Sequence, residues 1–267
     1  MPLAPSARGV SELYREQAGE GPPVVLVHAG IVDSRMWDPQ WQTFPRSHRT
    51  IRYDMRGFGR SPLSPGDFSH ARDLIDLLDE LELERAALVG NSQGGQTVLE
   101  VAVAQPERVE KLVLVDSGLP GFEWSEETRA GWAEEEAAYE RGDLDAAAEV
   151  AVQMWAVGPR RSAEDVDAGV RERILEMQRR ALELYAAVGE AAREELLVPD
   201  VAERLGEVRA PTLVVTGEED LDDMQSIADR LAAEIPSARR ASIPGAAHVP
   251  SLERPEEFDR LVLGFLA

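Results

Sequence analysis

The chain has 267 residues, 28 of them basic and 50 acidic, for a formal net charge of −22, and it contains no cysteine. This balance argues against nucleic acid and anionic membrane as partners, and the missing cysteines exclude disulfides, thiolate metal sites and a cysteine nucleophile. The length allows one large core with room for an inserted segment.

Taken in order, the chain reads as follows. Residues 1–17 hold no apolar leader-like run, and no stretch reaches the length of a membrane span, so a cytoplasmic protein is expected. Residues 10–16 read as a first, edge strand, and 24–28 and 49–54 as the next two. The spacing predicts helices over 34–44 and 70–82. A short apolar run over 86–90 reads as a buried strand, followed by helical spacing over 93–105 and a strand over 112–116. After a long interruption come a strand at 212–216, a helix at 222–234, a strand at 239–243 and a last helix at 255–265. Strands alternating with helices predict an α/β fold, with a mostly parallel sheet of about seven strands flanked by helices.

The interruption covers 119–205. Its apolar residues recur at helical spacing, as at Val166, Val170, Ile174, Met177, Ala181 and Tyr185. Gly142, Gly158-Pro159 and Pro199 divide it into about four helices, and no strand is expected in it. Of its large side chains, Trp124, Met154 and Trp155 are the candidates to line a mostly apolar acyl or alcohol pocket.

The junction of the 86–90 strand with its helix carries the chemistry. Gly90-Asn91-Ser92-Gln93-Gly94 is a G-x-S-x-G pattern between a strand and a helix, the context of a nucleophile elbow. Such a turn would lift the Ser92 hydroxyl clear of the sheet and point the Gln93 N–H at an anionic oxygen. A serine hydroxyl is a weak nucleophile at neutral pH and needs a base, which needs an orienting acid. Among four histidines, His248 sits on a loop between the last strand and the last helix, downstream of the serine. The acid belongs between them. Residues 218–223, E-E-D-L-D-D, offer five carboxylates in six positions, and chemistry alone does not choose among them.

Together these segments resemble the α/β-hydrolase family over nearly the whole chain. His28-Ala29-Gly30 resembles its oxyanion turn, with alanine where the pattern usually has glycine. Residues 54–61, D-M-R-G-F-G-R-S, resemble its D-x-R-G-x-G-x-S loop. Gly217-Glu218-Glu219-Asp220 resembles its G-x-x-D acid turn, and Gly245-Ala246-Ala247-His248 its histidine loop. The resemblance implies a catalytic set of Ser92, Asp220 and His248, with Asp116 at the end of its strand as the alternative acid. It implies an oxyanion hole from the backbone N–H groups of Gly30 and Gln93, no metal or organic cofactor, and structural roles for His28, Asp54 and Arg56. It also implies a core of 1–118 and 206–267 with a helical cap, 119–205, over Ser92.

The expected activity is hydrolysis of a small carboxylic ester or lactone through an acyl-enzyme, by a monomer or homodimer. Carbon–carbon bond hydrolysis and cofactor-free peracid formation are alternatives on the same site. A small-molecule receptor with slow residual hydrolysis is the alternative from another class.

Overall fold

The computed structural model describes residues 12–267. In chain order its elements are β1 (Arg15–Ala18), β2 (Pro23–Val27), β3 (Arg49–Tyr53), β4 (Gly66–Phe68), α1 (His70–Glu80), β5 (Ala86–Asn91), α2 (Gln93–Ala104) and β6 (Val109–Val115). Then follow α3 (Glu126–Glu140), α4 (Leu144–Ala151), α5 (Ala168–Val188), β7 (Ala192–Glu194), β8 (Thr212–Gly217), α6 (Asp222–Glu234), β9 (Ala238–Ile243), α7 (Pro250–Glu253) and α8 (Pro255–Leu266).

Seven strands make the main sheet, in the order β1–β3–β2–β5–β6–β8–β9, and β1 alone runs antiparallel to its neighbour. The central strands are continuous apolar runs because helices cover both faces of a parallel sheet. Val24 to Val27 and Leu112 to Val115 are fully buried. At the edge, β9 carries Arg239 and Arg240 on exposed positions, charges that discourage pairing with another chain. Val10 and Ser11, the first positions of the expected edge strand, lie outside the described residues, and β1 begins at Arg15.

The strand order places the site. From β2 the chain moves to β3 on one side, while β5 lies on the other. At such a reversal the loops leaving the carboxyl ends of the two central strands diverge and open a crevice. The loop after β2 is His28-Ala29-Gly30, and the turn after β5 carries Ser92.

Two expectations need correction. The predicted helix over 34–44 is three separate 3-10 turns, Ser34–Trp37, Gln40–Gln42 and Phe44–Arg46. Pro39 and Pro45 lack the N–H that an α-helical ladder needs, so burial of Trp37 and Phe44 anchors the segment instead. The segment between β6 and β8 holds three α-helices where about four were expected, because α4 runs on into a π-helical turn, Val152–Val157. Gly142 (φ +75°) and Gly158 (φ +81°) make the left-handed breaks there. The segment is also not free of strands: β7 pairs in parallel with β4. Three residues are too few to show a period of two, and G-D-F and A-R-E have low strand propensity. Among the described residues no helix is long and apolar enough to cross a membrane.

Candidate active site

Ser92 has φ 54° and ψ −113°, left-handed backbone in a non-glycine residue, a strain worth about 1–3 kcal/mol that the surroundings must hold in place. The glycines around it explain how. A Cβ at Gly90 would collide with the Gly94 carbonyl, and one at Gly94 with the carbonyls of Val27 and His28. Strand and helix therefore pass backbone to backbone, and α2 packs directly on the end of β2. Ser92 N–H donates to Val115 O (2.9 Å), and Ser92 O accepts from Gln96 (2.9 Å) and Gly118 (3.0 Å). The turn is locked and the side chain stays outside it.

Asp220 and His248 come together as their motifs imply. His248 Nδ1 lies 2.6 Å from Asp220 Oδ2, with both side chains almost fully buried. Asp220 Oδ1 accepts the Leu221 N–H at 2.8 Å, so each carboxylate oxygen has its own donor. The two loops interlock through backbone: a Cβ on Gly217 would strike the Ala246 and Ala247 carbonyls, and Glu219 N–H donates to Ala246 O (2.9 Å). Ser92 and His248 are linked through the elbow's own Asn91, whose Nδ2 donates to His248 O (3.0 Å). Among the described residues no hydrogen bond joins the Ser92 hydroxyl to the imidazole; such contacts commonly tighten only with substrate bound.

The turn expected to hold an oxyanion meets the elbow. A Cβ on Gly30 would lie 2.7 Å from Gln93 Oε1, so the two residues expected to supply the donors are neighbours. Ala29 stands in the family's glycine position fully buried and without positive φ, so its methyl group fits unstrained. His28 has both ring nitrogens engaged, Nδ1 with Ala29 O (2.8 Å) and Nε2 with the Met55 N–H (2.8 Å). Burial pushes its pKa down, and a neutral ring suits a brace. Asp54 accepts the N–H groups of Ser34 and Arg60 (2.8 Å each). Arg56 grips Asp73 through two hydrogen bonds of 2.9 and 2.8 Å.

The three expected pocket residues fall in different places. Trp155, on the π-helical turn, lays its ring on His248 with centroids 4.4 Å apart. Trp124 stands edge-on to Trp155 at 6.5 Å and to Trp132 at 4.9 Å. Met154 lines an open cavity of about 510 Å³ together with Gly131, Gln153 and Leu221.

Known proteins share this architecture. The alpha/beta hydrolase family matches residues 24–261. The chain belongs to that family. A protein of Azorhizobium caulinodans named "Putative carbamate hydrolase RutD" is 30% identical over 270 residues, covering 96% of each chain. The 2-hydroxy-6-oxo-6-phenylhexa-2,4-dienoate hydrolase of Comamonas testosteroni is 29% identical, covering 95% of this chain and 91% of its own. Among solved structures, the enol-lactonase of Burkholderia xenovorans LB400 superposes with a TM-score of 0.78 at 26% identity, covering 95% of this chain and 96% of its own.

The hydrolase uses residues around its site that sequence reasoning missed. Arg161 pairs with Glu253 (2.6 Å) and also donates to Ala156 O (2.7 Å), Val157 O (2.9 Å) and Gly245 O (3.1 Å). Glu253 in turn accepts the Ala247 N–H (2.8 Å). One buried ion pair thus ties the turn carrying Trp155 to the loop carrying His248. Beside the elbow, Glu194 of β7 accepts from the Gln93 side chain (3.1 Å). It lies 3.8 Å from the ring of His70, and neither His70 ring nitrogen makes a hydrogen bond among the described residues.

His70 sets an acid limit on stability. Burial pushes its pKa down to about 4, below the ordinary value near 6.5. Between these values the unfolded chain takes up a proton that the folded one refuses, so stability is lost as pH falls from 6.5 towards 4, by up to about 3 kcal/mol. His70→Leu is expected to flatten the fall in melting temperature over that range. Melting curves of both proteins at pH 7.5, 6, 5 and 4 check this, and parallel curves would rule His70 out.

Proposed function

We propose that this protein is a serine hydrolase that cleaves a small carboxylic ester or lactone through an acyl-enzyme. The observation that carries the reading is the strained Ser92 elbow next to a buried His248–Asp220 pair at 2.6 Å. His248 takes the Ser92 proton as the hydroxyl oxygen attacks the carbonyl carbon. The N–H groups of Gly30 and Gln93 hold the oxyanion, each donor worth roughly 3–4 kcal/mol at the transition state. Collapse expels the alcohol, which receives the proton from His248. Water activated by the same imidazole then releases the acid and restores Ser92. Asp220 keeps the imidazole in the required tautomer and balances its transient charge. The helices between β6 and β8 act as a cap, with Trp155 as the wall against His248.

The relatives support acyl chemistry of this kind. The enol-lactonase opens a cyclic ester by its name, and the Azorhizobium protein's name points to a carbamate. The Comamonas relative's name favours a second reading, carbon–carbon hydrolysis of a ring-fission dienone, on the same site. The deciding experiment is a chain-length series of p-nitrophenyl esters, followed by a phenyl-substituted dienone. A burst with steady turnover on the esters supports the esterase reading. Turnover on the dienone alone moves the assignment to carbon–carbon cleavage.

A further inference from the structure

Directly behind the His248–Asp220 pair lies a carboxyl that the proposed mechanism does not use. Asp116 ends β6, is 1% exposed and has left-handed backbone at φ 37°. Both its oxygens lie 3.2 Å from the Gly217 N–H, the first peptide of the acid turn. That turn closes on itself through Asp220 N–H to Gly217 O (3.3 Å). The Asp116 carboxyl is also within hydrogen-bonding reach of Asp220, which is fully buried.

Two carboxylates in contact inside a protein do not both ionise, and such a pair shares one proton. Hydrogen bonding assigns that proton. Asp220 already receives two donors, His248 Nδ1 and the Leu221 N–H, and is the stronger candidate for the charge. Asp116 receives one backbone N–H and has a carboxylate beside it. We propose that Asp116 is a positioning residue, a neutral carboxylic acid that donates its O–H to the Asp220 carboxylate while accepting the Gly217 N–H. This rests on Asp220 being the acid of the proposed mechanism. Asp116 is the fixed strut that holds Asp220 square to His248, and it touches no substrate. The charged groups facing it agree. Asp220 comes from the turn after β8, and Glu253 of α7, paired with Arg161, adds negative potential. Burial, then the Asp220 charge, pushes the Asp116 carboxyl well above the usual carboxylate range.

A group held neutral while its unfolded counterpart ionises favours the folded state less as pH rises above the unfolded value near 4. Asparagine at 116 keeps one acceptor for Gly217 and one donor for Asp220 and never ionises. Asp116→Asn is therefore expected to keep kcat within about threefold of wild type. Its melting temperature should gain on wild type steadily from pH 5 to pH 8. Asp116→Ala, which loses the strut, should lower kcat at least tenfold with KM little changed. The infrared difference spectrum, wild type minus Asp116→Asn at pH 7, should show a protonated-carboxyl C=O band, a readout that needs no activity. An ionised-carboxylate signal there, or an Asp116→Asn variant as inactive as Asp220→Asn, overturns the proposal. So does an Asp116→Ala enzyme with wild-type kcat. If Asp220→Asn is itself fully active, the triad reading fails on its own, while the infrared band still reports the state of Asp116.

Discussion

Replacing Ser92 by alanine is expected to lower kcat on an activated ester by about 10⁶-fold. The fold should not change. Alanine carries the same Cβ as serine, so the left-handed backbone at φ 54° is no more strained, and among the described residues no hydrogen bond of the Ser92 side chain braces the turn. What disappears is the oxygen that would form the proposed acyl-enzyme. KM for a substrate held by the pocket should stay within a few-fold, because the backbone donors of Gly30 and Gln93 remain. Stopped-flow measurement of the p-nitrophenol burst and the intact mass of the quenched protein separate the cases. Wild type should show a burst and an acyl adduct, and Ser92→Ala neither. Turnover by the variant above the ~10³–10⁴-fold over water that an oxyanion hole and binding alone can supply would place the nucleophile elsewhere.

The elbow could be read from sequence because its constraints are local. Gly90, Ser92 and Gly94 lie within five residues, and each glycine is required by a backbone that passes within contact distance. The parallel strands were equally plain, since burial on both faces leaves unbroken apolar runs at Val24 to Val27 and Leu112 to Val115. The pairing of Asp220 with His248 was reachable only through family resemblance, because five carboxylates in six positions look alike until one is aimed at an imidazole. Arg161 with Glu253 was beyond reach, and Asp116 could be marked only as an alternative acid at its strand end, not as a partner of Asp220. These partners are 92 and 104 residues apart, and nothing in their local patterns differs from ordinary surface charge or a strand end. The turns at 34–46 were misread for a different reason: apolar spacing outweighed two prolines that the hydrogen-bond ladder could not tolerate.

The same geometry makes Asp220→Asn the second decisive variant, with an expected loss in kcat of about 10⁴-fold at nearly unchanged KM. The argument turns on which atom of the amide faces the histidine. The Leu221 N–H, 2.8 Å from Oδ1, needs an acceptor, so the asparagine oxygen must stay there. Its NH₂ then takes the place of Oδ2, 2.6 Å from His248 Nδ1. Two donors cannot face each other, so the imidazole gives up the Nδ1 proton and carries it on Nε2. The nitrogen that should accept the Ser92 proton is now occupied, and the base is lost while the shape is kept. A melting temperature close to wild type, with kcat falling and KM steady, is the expected signature. Adding Asp116→Asn to this variant tests whether the neighbouring carboxyl is a strut or a reserve acid. With Asp220 neutralised, the Asp220 charge no longer opposes ionisation of Asp116, although its burial and Glu253 still do. A strut has no further part to play once the acid is gone, so the double variant should match Asp220→Asn. A further fall in kcat would mean that an ionised Asp116 can itself steady the imidazole.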